Sequence, residues 1–212
     1  MTLPRVALLV IGDGRDDLKR ATLESWHEHA REYDLRHVVD VDDRLHALGF
    51  CGAIRYGWDR LRELGEDYDY VFHLEEDWRF LRPFSVAMMA RLLDVETRVV
   101  QVALRRGAEP SEQGKAVTEK FPGLFTDRHI GIIGLGQPAR VQAWLEHRSF
   151  FTTNPSLYRR GLTLAFAWPE APRCEAAFTE TLIAEGRSFA YWGDREDEPW
   201  IEHTGTRTGH GY

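Results

Sequence analysis

The chain has 212 residues, of which 43% are hydrophobic and 29% are charged, and this composition excludes intrinsic disorder and collagen-like repeats. Its 27 basic and 34 acidic residues give a formal net charge of −7, which argues against an extended cationic surface for nucleic acid or anionic lipid. We therefore expect one globular domain with a sizeable hydrophobic core.

Two features of the sequence bear on where the protein resides. Cys51 and Cys174 are too few for a disulfide framework and lack the paired spacing of a zinc site, which favours a reducing compartment. The apolar run at residues 6–11 is far shorter than the roughly 20 residues of a membrane span, and no signal-peptide cleavage pattern follows it. The sequence therefore predicts a cytoplasmic protein without a transmembrane segment.

Apolar patterning in the first half of the chain alternates between strands and helices. The continuous apolar stretch at residues 6–11 predicts a buried strand, and the residues at 35–41, 68–74 and 98–104 also predict strands. Helical periodicity predicts helices over residues 16–33, over residues 49–64 with Gly65 at the end, and from Pro83 onward. Because neighbouring parallel strands need a crossover, usually a helix, this alternation predicts an α/β fold with a mostly parallel sheet flanked by helices.

The second half of the chain is less regular. Residues 105–128 are polar and rich in Gly and Pro, which indicates a long loop. Beyond it we predict a strand over residues 129–135 and helices over residues 137–147 and 174–185, whereas the final 20 residues show no period. No repeat or linker interrupts the sequence, so we expect a single domain over residues 1–212.

Three consecutive carboxylates, Glu75, Glu76 and Asp77, directly follow the apolar strand that ends at Leu74. Unpaired like charges at this spacing raise each other's pKa, so a cation is expected to lie between them. Ligands of open α/β sheets bind outside the carboxyl ends of the strands, where this triplet falls. A hard divalent cation that also binds a substrate phosphate suits such a site, and the structural alternative is a solvated turn or a cap on the next element.

Read as Glu75-x-Asp77, the triplet resembles the D-x-D motif of GT-A glycosyltransferases, in which a strand end holds a metal ion and a nucleotide sugar. Glu in place of the first Asp is a departure from that motif. Three further segments are similar to parts of this class: the opening strand, Arg-bearing loop and helix at residues 6–26, the acidic strand end at residues 40–43, and the helix at residues 49–58.

This resemblance covers residues 5–82 and implies a Rossmann-like GT-A domain. Its nucleotide-sugar half is expected at about residues 1–105 and its acceptor half at about residues 106–212. The residues implied to contact the donor are Asp13, Arg15, Asp42, Glu75 and Glu76.

The segment at residues 200–205 is similar to a hydrophobic-x-His-x-Gly form found near the C-terminus of the same class. It implies that His203 joins Asp77 as a metal ligand. An imidazole beside carboxylates favours Mn²⁺ over Mg²⁺. His210 is the alternative ligand, and the structural alternative for either histidine is a surface or core residue.

Inverting transfer needs a base that takes the proton from the acceptor hydroxyl. Glu175 opens the predicted helix at residues 174–185 and is similar to the acidic residue that opens the acceptor-side helix of inverting relatives. Its alternative role is compensation of the helix dipole. The rival candidates for the base are Asp127, Glu170 and Asp194.

Aromatic, hydroxyl and amide side chains at residues 150–160 predict an acceptor segment, because sugar rings stack on aromatic side chains and pair with polar ones. The sequence thus predicts a metal-dependent glycosyltransferase that moves a sugar from a nucleotide-diphosphate sugar to an acceptor hydroxyl, with inversion. The acceptor is open between a protein, a glycan, a lipid and a modified nucleobase.

Two other functions stay open. One is a sugar nucleotidyltransferase, against which the loop Gly12–Arg15 argues, because it lacks the longer Gly-rich loop that cradles a triphosphate. The other is a carbohydrate-binding protein without catalysis, in which the acidic triplet is structural.

Overall fold

The computed structural model describes residues 2–108, 115–132 and 140–205. The strands are, in chain order, β1 (Arg5–Gly12), β2 (Ala30–Arg31), β3 (Asp34–Asp42), β4 (Tyr70–Glu75), β5 (Trp78–Phe80), β6 (Phe84–Ser85), β7 (Val99–Leu104), β8 (Thr126–Ile132), β9 (Arg140–His147), β10 (Ser156–Arg159), β11 (Ser188–Trp192) and β12 (Ile201–His203). The helices are α1 (Asp16–His29), α2 (Asp43–His46), α3 (Gly49–Glu63), α4 (Val86–Val95), α5 (Val117–Lys120), α6 (Arg160–Ala165) and α7 (Cys174–Ala184), with a 3-10 turn at Pro122–Leu124.

Eight strands form the central sheet in the order β3-β1-β4-β10-β7-β11-β9-β8. Strand β1 pairs in parallel with β3 and β4, and β7 pairs in parallel with β11. Strands β10 and β9 run against their neighbours. The predicted α/β class, with a mostly parallel sheet flanked by helices, is confirmed.

The core lies on both faces of this sheet. Alternate residues of β1 face opposite sides, and the whole strand interior is buried, as its unbroken apolar sequence predicts. One face packs against α1 and α4, and the other packs against α3 and α7. At Gly57 of α3 a Cβ atom would lie 2.6 Å from a methyl group of Leu9, so glycine permits the close approach of this helix to the sheet.

Three strands of the second half differ from the sequence prediction. Residues 140–147 form strand β9, so the predicted helix over residues 137–147 is wrong, and residues 133–139 lie outside the described residues. The predicted acceptor segment at residues 150–160 ends in β10, whose Leu157 and Tyr158 are fully buried. Strand β11 was not predicted, although all its residues are buried.

The two cysteines are bonded to each other. Cys51, in the first turn of α3, and Cys174, the first residue of α7, form a disulfide with a Cα–Cα distance of 6.0 Å. This single disulfide was not predicted, because two cysteines were taken as too few for a disulfide framework. The reducing, cytoplasmic location that their number favoured stays a prediction.

Within the described ranges, none of the helices has the length and apolar character that crossing a membrane requires.

Candidate active site

Several chain segments meet at the carboxyl edge of the sheet. The parallel strands β1, β3, β4 and β7 all end there, and the antiparallel strand β10 begins there. The acidic triplet lies at the C-terminal end of β4, between the C-terminal end of β1 and the first residue of β10. This is the edge at which open α/β sheets bind ligands.

The Glu76 side chain is fully buried and faces the loop after β1. One carboxylate oxygen accepts from the backbone N–H of Asp13 at 3.0 Å and from Arg15 Nε at 2.7 Å, and the other accepts from the Arg15 backbone N–H at 3.2 Å. At Gly12 a Cβ atom would lie 2.3 Å from Glu76 Oε2, so glycine is needed beside the carboxylate. Glu76 therefore holds the first loop against the acidic turn, and its predicted contact with the donor stays a prediction.

Arg15 is the cation that lies between the carboxylates. Its Nη1 is 2.8 Å from Asp77 Oδ2, while its Nε contacts Glu76 and, at 3.0 Å, Asp13 Oδ1. Burial opposes the charged guanidinium, but the bonds to Glu76 and Asp77 outweigh burial and raise the Arg15 pKa. The chain thus provides part of the positive charge that the sequence led us to expect, although Arg15 was predicted to contact the nucleotide.

Strand β12 places His203 beside Asp77. It pairs antiparallel with β5, so that His203 lies opposite Trp78, and His203 Nε2 is 3.1 Å from Asp77 Oδ2. The backbone N–H and the hydroxyl of Thr204 donate to Asp77 O at 2.8 and 2.9 Å. At Gly205 a Cβ atom would lie 2.2 Å from Asp77 Oδ2. The two residues predicted as metal ligands are therefore brought together, in a cradle that a larger residue at position 205 would fill.

The carboxylates of the turn differ in their protonation. Burial raises the pKa of Glu75 to about 8, and the nearby charges of Glu175 and Asp77 add to this rise. Burial also acts to raise the pKa of Asp77, but His203 and Arg15 outweigh it and the pKa is lowered. At neutral pH, Asp77 is the ionised member of the Glu75-x-Asp77 pair, and a cation bound beside Glu75 would lower the Glu75 pKa and release its proton to solvent.

Glu175, in the first turn of α7, lies close enough to Glu75 to act on its pKa. Glu175 Oε1 accepts from the backbone N–H of Thr153 at 2.8 Å and from the Thr153 hydroxyl at 2.9 Å. Burial raises the pKa of Glu175, and Thr153 and Arg106 partly offset this effect. The structure thus joins the carboxylate predicted as the base to the acidic strand end, through residues about 100 positions apart in sequence.

The three rival bases are held elsewhere. Asp127 Oδ1 is 3.0 Å from Arg195 Nε, and Glu170 pairs with Arg55 of α3. Asp194 accepts two backbone N–H groups of its own turn at 2.9 Å each. The alternative metal ligand, His210, lies outside the described residues.

Asp42 ends β3 at the same edge of the sheet, yet its carboxylate is engaged by the chain. Arg44 donates its backbone N–H to Asp42 Oδ1 at 3.1 Å and its Nε to the same oxygen at 3.0 Å. Arg44 also reaches Asp16 at 3.1 Å and covers Gly14 of the first loop. A nucleotide that contacts Asp42 or the first loop therefore has to displace or share the Arg44 side chain.

The described residues supply too few ligands to hold a metal ion without a bound substrate or water. Within residues 2–108, 115–132 and 140–205, no cluster of at least three His, Cys, Asp or Glu side chains is suited to hold a metal ion. Asp77 and His203 supply two, and Asp77 Oδ1 and Glu75 Oε1 are buried without a hydrogen-bond partner in this part of the chain. Two protein ligands suit a cation that completes its coordination with water and substrate phosphate.

The sequence did not predict the contacts of Thr22 with the acidic turn or of Thr153 with Glu175, although Thr153 belongs to the predicted acceptor segment. The Thr22 hydroxyl, on α1, donates to Glu76 O at 2.7 Å and accepts from Trp78 N–H at 3.1 Å, so it braces the acidic turn. Thr153 holds Glu175. A threonine on a predicted helix or loop has no sequence signal for such a role, because both contacts join segments that are distant in the chain.

No protein-family model matches the sequence, and no curated protein matches it. A solved structure that it resembles in overall shape is a CMP:2-keto-3-deoxy-manno-octonic acid synthetase complexed with CTP, with 13% identity, 89% of each chain covered and a TM-score of 0.47. At this identity and TM-score, the likeness carries no argument about activity.

Proposed function

We propose that the protein is a glycosyltransferase that moves a sugar from a nucleotide-diphosphate sugar to an acceptor hydroxyl. The observation that carries this proposal is that a candidate metal-binding pair and a candidate base lie at the same edge of the sheet. The pair is Asp77 and His203, and the base is Glu175. Glu75 is close enough to both Asp77 and Glu175 for their charges to act on its pKa.

In this proposal Asp77 and His203 hold a divalent cation together with the donor diphosphate. A carboxylate and an imidazole favour Mn²⁺ over Mg²⁺. When bound, such a cation offsets the negative charge that develops on the departing diphosphate. The fixed charge of Arg15, 2.8 Å from Asp77, keeps the Asp77 carboxylate ionised and oriented before a ligand arrives.

Glu175 is the proposed base. Thr153 occupies Oε1, and no hydrogen bond to Oε2 is present among the described residues. Oε2 is therefore the oxygen that accepts the acceptor's hydroxyl proton as the hydroxyl oxygen attacks the anomeric carbon. A carboxylate whose pKa is raised by burial accepts a proton more readily at neutral pH than an exposed one does.

Glycosyl transfer and nucleotidyl transfer can be distinguished by the products that they release. We would supply UDP-, GDP- and TDP-sugars with Mn²⁺ and a mixture of hydroxyl acceptors, and identify the phosphorus products by ³¹P NMR. Glycosyl transfer releases a nucleoside diphosphate. A parallel reaction with nucleoside triphosphates and a free sugar or sugar phosphate tests for pyrophosphate, whose formation would replace this proposal by the nucleotidyltransferase alternative.

Glu175→Gln tests the assignment of the base. It is expected to lower the transfer rate by a factor of about 100 to 10,000, because it removes general base catalysis, and to leave donor affinity unchanged. The matched control is Glu180→Gln, an exposed position on the same helix, which should retain the wild-type rate. Equal rates in the two variants would remove Glu175 from the mechanism.

A further inference from the structure

The Cys51–Cys174 disulfide lies next to the proposed base. Cys174 precedes Glu175 directly and is buried, and Cys51 is partly exposed in the first turn of α3. The bond therefore fixes the residue that immediately precedes the carboxylate to a neighbouring helix.

Hydrogen bonds to the segment before β10 also hold the start of α7: Thr153 donates twice to Glu175 Oε1, and the backbone N–H of Phe151 donates to Thr179 Oγ1 at 2.8 Å. The residue before the helix, Arg173, makes no side-chain capping bond. One turn further on, Phe178 packs against Trp58 of α3 and against Trp168, with ring centroids 5.4 and 4.9 Å apart. This aromatic packing does not involve the sulfur atoms, so we expect opening of the disulfide to loosen the first turn of α7 without detaching the helix.

The other end of the disulfide is anchored to the donor side of the site. The buried Asp43 carboxylate accepts from the backbone N–H groups of Leu48 and Gly49, at 2.8 and 2.9 Å, and so fixes the start of α3. Asp43 directly follows Asp42 at the end of β3. The disulfide thus connects the predicted nucleotide-sugar half of the chain to the predicted acceptor half.

We propose that the Cys51–Cys174 disulfide is a redox control on the position of Glu175. A dithiol reductant attacks Sγ of Cys51, the less buried of the two cysteines, and forms a mixed disulfide, and its second thiol then closes to a cyclic disulfide. The protein gains two electrons and two protons and carries two free thiols, and the reductant is oxidised by the same two electrons. The first turn of α7 then moves relative to Thr153. The catalytic consequence, though not the structural one, rests on the proposed function.

Amide hydrogen exchange of the full chain, measured by NMR in the oxidised and the dithiothreitol-reduced state, tests the structural step. Two amides report on it: Thr153 N–H, which donates to Glu175, and Ala177 N–H, which donates to Arg173 O at 3.0 Å. Reduction should speed their exchange by about tenfold or more. The amide of Glu76, which donates to Ile11 O, and the amide of Thr204, which donates to Asp77 O, should keep their rates. Equal exchange at Thr153 and Ala177 in both states would overturn the proposal.

Cys51→Ser is the matched variant. It removes the disulfide without changing Cys174, the residue next to Glu175. It should reproduce the exchange rates of the reduced protein and no longer respond to dithiothreitol, and reoxidation of the wild type should restore slow exchange. Where transfer is detectable, kcat should fall about tenfold on reduction while donor affinity is kept. Unchanged kcat despite faster exchange would contradict redox control. Absence of transfer in both states would count against the proposed function alone.

Discussion

Arg15 decides how three neighbouring carboxylates coexist at the end of β4. Its guanidinium contacts Asp13, Glu76 and Asp77 within 3.0 Å, so part of the repulsion between the acids is relieved inside the protein. Both oxygens of Glu76 accept hydrogen bonds from the first loop, whereas Asp77 keeps one buried oxygen without a partner among the described residues. The residue that follows the strand by two positions is therefore the one we assign to the cation.

Thr153 should set the pH dependence of transfer through Glu175. Its hydroxyl donates to the ionised carboxylate and so lowers the pKa that burial has raised. Thr153→Val removes this donor, and the pKa of Glu175 rises further. Because the base acts when deprotonated, the rise of kcat with pH should move to higher pH, which a kcat–pH profile of wild type and variant measures.

Thr153→Ser is the control, because it keeps the hydroxyl and should keep the wild-type profile. A lower rate in Thr153→Val with an unmoved profile would mean that Thr153 only supports the local structure. Equal profiles and equal rates in all three proteins would remove it from the site.

Among the elements, α1 supports the acidic turn and β5, because its side chains bond the backbone there. Thr22 bonds the backbone on both sides of Asp77, and Ser25 Oγ accepts from Phe80 N–H at 3.2 Å. Strand β12 pairs with β5 on its other edge. The turn is thus held from two sides, by α1 near the start of the chain and by β12, which ends at His203.

Thr22→Val tests this support. The valine fills the same space but leaves the buried Trp78 N–H and Glu76 O without their partner, which should lower the free energy of unfolding by about 1–3 kcal/mol. Urea denaturation measures the change. Thr181→Val, at an exposed position of α7 whose hydroxyl bonds Ala177 O, should change stability by less than about 0.5 kcal/mol. Equal losses in the two variants would show that the Thr22 contacts contribute nothing special.

The same elements show why part of the fold followed from the sequence. Strands β1, β4 and β7 are buried on both faces and are therefore mostly apolar, with His73 and Gln101 as buried polar exceptions in β4 and β7, and such runs can be detected in the sequence. Strand β9 has apolar residues spaced like those of a helix, with Trp144 and Leu145 buried in different clusters, and a run this short does not distinguish the two structures. Strand β10 has four residues, too few for a period to be seen.

At the scale of the whole molecule, the site is assembled from segments that the sequence separates. Glu75, Asp77 and Glu175 could be chosen from their local sequence because each ends, follows or opens a predicted element, whereas His203 was chosen from the resemblance of residues 200–205 to a hydrophobic-x-His-x-Gly form. Their proximity could not be predicted, since it depends on β10 inserting between β4 and β7 and on β12 returning to β5. The disulfide was missed for the same reason: two cysteines 123 residues apart carry no signal of contact.

Stability of the whole molecule should depend on a buried histidine far from the site. His147 is packed among aromatic rings and burial lowers its pKa to about 3, against 6.5 in the unfolded chain. Because the unfolded state binds the proton first, the contribution of His147 to stability is present above pH 6.5 and is lost as the pH falls below it. At pH 5 the loss is about 2 kcal/mol.

His147→Phe isolates this effect. Carboxylates with raised pKa, such as Glu75, act in the opposite direction in both proteins and cancel in the comparison. Urea denaturation at pH 7.5 and pH 5 should show that the variant loses less stability on acidification than the wild type. Replacement of the exposed His129 by Gln should leave the pH dependence unchanged. An identical pH dependence in wild type and His147→Phe would contradict the assignment.

The central claim is that Asp77 binds a nucleotide-diphosphate sugar through a divalent cation, and calorimetric titration of UDP-, GDP- and TDP-sugars in Mn²⁺ or EDTA tests it most directly. We predict that sugars of one nucleotide family bind, that binding needs Mn²⁺, and that it is lost in Asp77→Asn. The control is Asp17→Asn, which should retain binding because the Asp17 side chain is 95% exposed. Binding that is equally tight in EDTA and in Asp77→Asn, or no binding of any nucleotide sugar, would contradict the account.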